Sequence, residues 1–428
     1  ASVKALGNAE FEAAEQGLRA ALELLTQAGE LHAAARVSGR LGSLEVQTGR
    51  GEQGMRRMEE AFEVVSADEP DADVGYLASR LGRSLALAGE LERAAESNEL
   101  ALGVAQALRL PETLVRGLGT KAYLARAAGR PEEELALTRH ALRYALENDL
   151  AEQAANQYAN LSDSCFGGDR YGEALEALGE AVALARRSGE RAAEVFALSE
   201  TTHALTMAGR WDEAVAIFDE LPEEQLRADS NLASVLSGPL EIFLHRAQIE
   251  RSRELHAWFD YVPSEDHQSR AIHIAAQAAL FHAEGRFAEA IDAGAYAAGV
   301  SGVPQAMKQG LVWAVESALA LDERGRADEL LAAVEALPPG LRSPFLEAQT
   351  QRFRARMSND AAGFKSAAAG FREYDIPFWL AVTLLEHGEL TGDSSLLDEA
   401  RGIFERLKAT PWLERVDAVQ GKRAEVPA

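Results

Sequence analysis

Short polar turns recur along this chain at a nearly constant spacing, and no other feature limits its fold as much. The turns contain Gly49, Gly89, Gly129, Asp169, Gly209, Gly285, Gly325, Asn359 and Gly392. The first four intervals are each 40 residues, Gly209 to Gly285 is 76, Gly285 to Gly325 is again 40, and the last two are 34 and 33. The long interval is two shortened periods, so a turn without a glycine is expected at Ala247 to Ile249. A second set of breaks is interleaved with the first: Gly29, Glu69-Pro70, Leu110-Pro111, Asn148-Asp149 and Ser188-Gly189. Glycine supplies the left-handed backbone that ends a helix, and proline cannot continue one. Two interleaved break sets therefore predict two helices per period, some 14 to 17 residues each.

Between the breaks, apolar residues fall at helical spacing, as in Ala174, Leu175, Leu178, Val182 and Ala185. A chain of 428 residues would otherwise suggest two or three globular domains. A repeat of this length buries its apolar face only by stacking on its neighbours, so one extended array is expected instead. It should cover residues 1–416, more regular over 1–220, irregular near 247 and shorter-period over 341–416. Residues 417–428 have no apolar period and contain Gly421, Lys422, Arg423 and Pro427, so they are expected to form a flexible tail. The start at Ala1 rather than methionine leads us to expect a piece of a longer chain.

Residues at fixed offsets from each turn identify the repeat type. Five after it come Ala94, Ala174, Ala214 and Ala290; twelve after it come Ala101, Ala141, Ala181, Leu221 and Ala297. Seven before it stand Gly82, Ala122, Ser162, Thr202 and Ala278, and two after it the aromatics Tyr171, Trp211 and Phe287. With turns reading Gly-Arg-Trp-Asp-Glu-Ala at 209–214 and Gly-Arg-Phe-Ala-Glu-Ala at 285–290, the chain resembles the tetratricopeptide repeat, with a longer period and longer helices. The resemblance implies an all-α, right-handed superhelical solenoid of about nine or ten helical hairpins. The stretch from Glu399 to Leu407, followed by Ala409-Thr410-Pro411-Trp412-Leu413-Glu414-Arg415, also resembles the carboxy-terminal repeat regions of bacterial LuxR-type and cyclase-linked signalling ATPases. No nucleotide-binding, cyclase or DNA-binding motif accompanies it here.

Little in the sequence points to catalysis. The nine histidines show no HExxH spacing, and His267, His273 and His282 do not share one helix face. Gly117-Leu118-Gly119-Thr120-Lys121-Ala122 fits a dinucleotide fingerprint only superficially, because no strand precedes it. No phosphate loop and no Gly-x-Ser-x-Gly elbow are present. Cys165, the lone cysteine, falls where the repeat packs its core and reads as an inert buried thiol. Glu132-Glu133-Glu134 and Glu223-Glu224 open helices, where negative charge complements the helix dipole. We assign no catalytic residue, metal ligand or cofactor.

One distribution does point to a site. The resemblance implies that the first helix of each repeat lines the concave face. Counting back from the turns places Arg36, Arg40, Tyr76, Arg80, Arg83, Arg116, Tyr123, Arg126, Asn156, Asn160 and Asp163 at its inward positions. Later repeats put Glu200, His203, Glu241 and Glu316 there instead. An arginine lane in a chain with 68 acids against 43 bases is unexpected. The guanidinium fork suits carboxylates and phosphates, and asparagine amides suit an extended peptide backbone. The competing account is that these arginines merely solvate long helices and pair with neighbouring acids.

The expected function is therefore a protein- or peptide-binding scaffold or sensor region of a bacterial signalling or transcriptional regulator. A peptide-pheromone receptor is the alternative within that class, and an enzyme with an unrecognised site the alternative outside it. The net charge of −25 argues against direct nucleic-acid binding. No apolar run is long enough to span a bilayer, and a single cysteine fits a reducing cytoplasm.

Overall fold

The computed structural model describes residues 2–47, 50–66, 70–260, 262, 267–300 and 302–424. Among them every regular element is helical. The fold is an all-α array of helical hairpins, as the turn spacing predicts. Ten hairpins follow in chain order: Leu31–Gln47 with Gly51–Ser66, Ala72–Leu87 with Leu91–Leu108, Pro111–Ala127 with Pro131–Glu147, Ala151–Gly167 with Tyr171–Ser188, Arg191–Met207 with Trp211–Glu220, Pro239–His245 with Ile249–Ala257, His267–Ala283 with Phe287–Gly299, Pro304–Ala320 with Arg324–Glu335, Pro344–Ser358 with Ala361–Glu373, and Pro377–Thr391 with Ser394–Leu407. The helix Ser2–Ala28 precedes them and Thr410–Ala424 closes the chain.

The turns work as the glycine pattern implies. Gly89, Gly129, Gly209, Gly285 and Gly392 all have φ between 69° and 84°. In each of the first four the amide after the glycine reaches back to a carbonyl of the last helical turn, as in Glu90 N to Leu85 O at 2.9 Å. Ala247 supplies the turn that lacks glycine, at φ 60°, and Gln248 N makes the same bond to Phe243 O at 2.7 Å. Gly325 is not the turn residue of its repeat. It lies inside the helix Arg324–Glu335, and Asp322 at φ 59° carries the left-handed position. Gly49 and Glu69 fall outside the described residues.

The small residues at fixed offsets are where helices touch. Ala94, Ala174, Ala214, Ala290, Ala122, Ser162, Thr202 and Ala278 are all at most 3% exposed. The closest approaches are reciprocal glycine pairs. A Cβ on Gly42 would sit 2.7 Å from the Gly54 carbonyl oxygen, and one on Gly54 would strike the Gly42 carbonyl. Gly294 and Gly310 repeat the arrangement, with clashes of 2.5 Å and 2.6 Å.

The chain divides into two compact units: Ala1–Ser164 with Arg187–Gly189, and Cys165–Arg186 with Glu190–Ala428. The first unit's core is built in small clusters, one around Ala35, Ala61, Val65, Val74 and Leu77 and another around Met58, Leu81, Leu85, Ala86 and Ala94. The second unit holds a larger cluster that includes Val195, Phe218, Leu236, Phe243, Phe259 and Trp313. Its irregular repeat has a local cause. The segment before Pro239–His245 is the 3₁₀ helix Ser230–Ser237, and the break falls at Gly238, where any Cβ would lie 3.1 Å from the backbone of Thr202 and His203. The proline that follows has no N–H and starts the next helix at its first position.

Residues 417–424 are the part of the expected tail that lies among the described residues. These residues continue the helix Thr410–Ala424, Asp417 pairs with Arg401, and Gln420 bonds both Arg401 and Asp398. The polar residues that obscured an apolar period are the ones that tie the helix down. Residues 425–428 lie outside the described residues.

Candidate functional site

The arginine lane lies wholly within the first unit. It gathers around two tyrosines, because residues four apart on one helix, and matching positions on successive first helices, share a face. The guanidinium carbons of Arg36 and Arg40 lie 5.5 Å from the Tyr76 ring centroid, that of Arg80 at 5.7 Å and that of Arg116 at 5.9 Å. Arg80 Nε also donates to the Tyr76 hydroxyl at 3.4 Å. Arg83 sits 5.1 Å from the Tyr123 centroid. A ring face partly offsets the positive charge, by about 0.5–1 kcal/mol per contact at exposed sites.

Carboxylates are scarce here. Arg36 has one, Asp73, at 3.5 Å. Arg40, Arg80, Arg83 and Arg116 have none within 4.0 Å among the described residues. Burial pushes the pKa of Arg83 below the usual guanidinium value. The same holds for Arg116, first through burial and then through the charge of Arg80. Both directions describe positive charges for which burial outweighs the attraction of nearby acids, Asp163 for Arg83 and Glu152 and Glu112 for Arg116.

Arg126 behaves differently. Its Nε donates to Glu134 at 2.6 Å, and Ser164 Oγ donates to the same carboxylate oxygen at 2.6 Å. Glu134 is 4% exposed. Asp163 stands near Arg126 and Arg83; confinement by surrounding protein raises its pKa against their attraction. Arg126 is therefore part of a closed ion cluster, and Glu134 does more than open its helix. Asn160 Nδ2 donates to Gln157 at 3.3 Å, and Asn156 is exposed. Structure thus brings together Arg36, Arg40, Tyr76, Arg80 and Arg116, sets Arg83 with Tyr123, and withdraws Arg126.

The second unit contains a pocket that the turn pattern did not single out. It has about 580 Å³ of empty space with its open mouth included, between His203, Trp211, Glu241, His245, Lys308 and Trp313. Four of the five tryptophans in the chain surround His245. Trp211 and Trp313 stack on the imidazole at 5.9 Å and 5.8 Å, while Trp379 and Trp412 lie at 6.2 Å and 6.0 Å. Phe378 is closer still, at 4.1 Å. Glu241 stands one helical turn before His245 and holds it at 3.2 Å; it also accepts from Gln309 at 2.5 Å and from Trp313 Nε1 at 2.8 Å. On the opposite side Lys308, 5% exposed, donates to Asp169 and to the Phe166 carbonyl, both at 2.5 Å. Placing His203 and Glu241 on the inward face was the one sequence signal for this site.

A weaker cluster joins His256, Asp260 and His273, whose potential ligand atoms lie within 4.8 Å of one another. The two rings stack at 4.0 Å and 16°, and His256 Nε2 is spent on the His273 carbonyl at 3.2 Å. Stacked rings direct their nitrogens side by side rather than toward one point, which suits a metal poorly.

No family model matches the chain, and no curated protein matches it. Among solved structures it is similar to a Rap protein complexed with Competence and Sporulation Factor, at 12% identity over 91% of this chain and 99% of that one, with a TM-score of 0.46. It is similar to NprR in complex with its cognate peptide NprX, at 12% identity over 92% and 97%, TM-score 0.44. A human IFIT1 dimer with m7Gppp-AAAA matches at 12% identity over 91% and 90%, TM-score 0.44.

Proposed function

We propose that this chain is a binding module that holds an acidic segment of a protein or peptide partner on the arginine face of its first unit. One observation carries the reading. Four guanidinium groups, Arg40, Arg80 and Arg116 around Tyr76 and Arg83 over Tyr123, have no carboxylate within 4.0 Å among the described residues, although acids outnumber bases by 68 to 43. The tyrosine rings lie 5.1–5.9 Å from these guanidinium carbons, and a guanidinium fork suits a partner carboxylate.

The module works by surface complementarity rather than by chemistry on a substrate. Its place in a bacterial signalling or transcriptional regulator rests on the resemblance of residues 399–415 to repeat regions of signalling ATPases. A cytoplasmic location rests on the single thiol, Cys165. The specific form in which the array senses a short peptide pheromone is the second reading, favoured by the same face.

The test is fluorescence anisotropy of a fluorescein-labelled dodeca-glutamate peptide, with a dodeca-lysine peptide as control. The glutamate peptide should bind, more weakly as salt rises, because exposed charge pairs are screened beyond about 8–10 Å. Replacing Arg80 and Arg116 together with glutamate should weaken binding at least tenfold, since two charge-assisted contacts at roughly 1.5 kcal/mol or more each are lost. The control is the same charge change at Arg56 and Arg187, both exposed. Equal loss in both double variants, or none in either, refutes the site.

A further inference from the structure

The pocket in the second unit has a charge and hydrogen-bond balance that can be read group by group. Trp412 Nε1 can only donate, and it lies 3.3 Å from His245 Nδ1. His245 therefore carries its proton on Nε2, donates it to Glu241, and is neutral. Lys308 and Asp169 cancel each other. His203 donates from Nδ1 to the Ser237 carbonyl at 2.9 Å, and burial holds its pKa down to about 4, so it too is neutral. What remains is the single negative charge of Glu241.

Two atoms at the pocket are buried with no hydrogen-bond partner: His203 Nε2 and Gln309 Oε1. With Nδ1 protonated, Nε2 offers only a lone pair. The Gln309 amide gives its NH₂ to Glu241, so its oxygen is also an acceptor. His203 is 4% exposed. Leaving such groups unmet costs about 1–3 kcal/mol each, and native structures rarely tolerate that without a reason. The walls are tryptophan and phenylalanine faces, whose quadrupole attracts positive charge.

We propose that this pocket binds an organic cation with N–H donors, a primary ammonium or a guanidinium, either on a small molecule or at the tip of a lysine or arginine side chain. The N–H groups meet His203 Nε2, Gln309 Oε1 and the Glu241 carboxylate, and the tryptophan faces enclose the apolar stem. An anion is excluded by Glu241 and by the lack of a free donor among these groups. The Gly238 break sustains the site. It ends one helix at Ser237, whose carbonyl fixes the His203 tautomer, and starts the next at Pro239, which brings Glu241 and His245 onto the pocket wall.

The experiment titrates the full chain with n-butylammonium and n-butylguanidinium, and in parallel with n-butanol and butyrate, each to about 10 mM, where even a weak fragment of millimolar Kd would register. Tryptophan fluorescence is the readout, because three of the five tryptophans, Trp211, Trp313 and Trp379, line the site. Both cations should give a saturable change, and butanol and butyrate none. Glu241→Gln should weaken cation binding at least tenfold. If that variant loses its helical signal, Gln309→Leu, at a half-buried position, takes its place with a threefold or greater loss expected. No saturable response to either cation, an equal response to butyrate or butanol, or unchanged affinity in a folded variant overturns the proposal. Because the arginine face lies in the other unit, its test and this one fail separately.

Discussion

Replacing Lys308 with methionine should destabilise the second unit by about 3–5 kcal/mol, the range for removing one partner of a buried ion pair. Lys308 and Asp169 are 5% and 1% exposed. The ammonium bonds the Asp169 carboxylate and the Phe166 carbonyl, both at 2.5 Å, with the Tyr171 hydroxyl at 3.4 Å. Methionine fills the same volume and supplies none of these donors. Asp169 keeps two others, Tyr171 OH at 2.9 Å and Phe345 N at 2.7 Å, so the loss should sit near the lower end. Adding Asp169→Asn removes the stranded charge. Asparagine also tolerates the left-handed backbone of this position, φ 57°. The double variant should therefore be more stable than the sum of the two single losses by about 1–3 kcal/mol. The assay is urea unfolding followed by tryptophan fluorescence, which reports only the second unit because all five tryptophans lie there. A Lys308→Met loss below about 1 kcal/mol at unchanged m-value, or additivity within about 0.5 kcal/mol, would refute the reasoning.

Two further outcomes follow from buried groups. His203 is held neutral with a pKa near 4, whereas the unfolded chain takes up that proton below about 6.5. Its contribution is present above pH 6.5, falls as pH drops toward 4, and amounts to about 3 kcal/mol. His203→Gln, which keeps a donor for Ser237, should lose that much less between pH 7 and 4 in urea melts; an unchanged pH slope would count against the assignment. Gly294→Ala should cost about 1–3 kcal/mol through overpacking, since its Cβ would stand 2.5 Å from the Gly310 oxygen. Equal stability by thermal denaturation would show that the two helices part freely.

The hairpin architecture was legible because its signals are local. A glycine, aspartate or asparagine in the left-handed position is fixed by its own backbone, and the buried alanines stand at constant offsets from it. The Ala247 turn was found from spacing alone. The boundary at Ser164 and Cys165 was not, because it falls inside one continuous helix, Ala151–Gly167, and leaves no mark in composition. The arginine face was visible as a pattern on successive first helices. The role of Arg126 was not, since its partner Glu134 looked like an ordinary helix-opening acid. The aromatic pocket draws Trp211, Trp313 and Trp379 from three different hairpins, and Lys308 answers an aspartate 139 residues away. No period reveals a constellation assembled over that range.

The reciprocal glycines have a consequence for how this chain can change over generations. At Gly42 and Gly54, and again at Gly294 and Gly310, each residue forbids a side chain on the other, because each carbonyl occupies the space its neighbour's Cβ would need. Mutating either one alone meets backbone, and enlarging both compounds the clash. Drift at these sites has no stepwise route that preserves the contact between the two helices, so each pair should be inherited as a single character. Lineages that lost it would have to move two helices apart and refill the gap, which makes these four positions natural markers for aligning distant descendants whose surfaces have otherwise diverged.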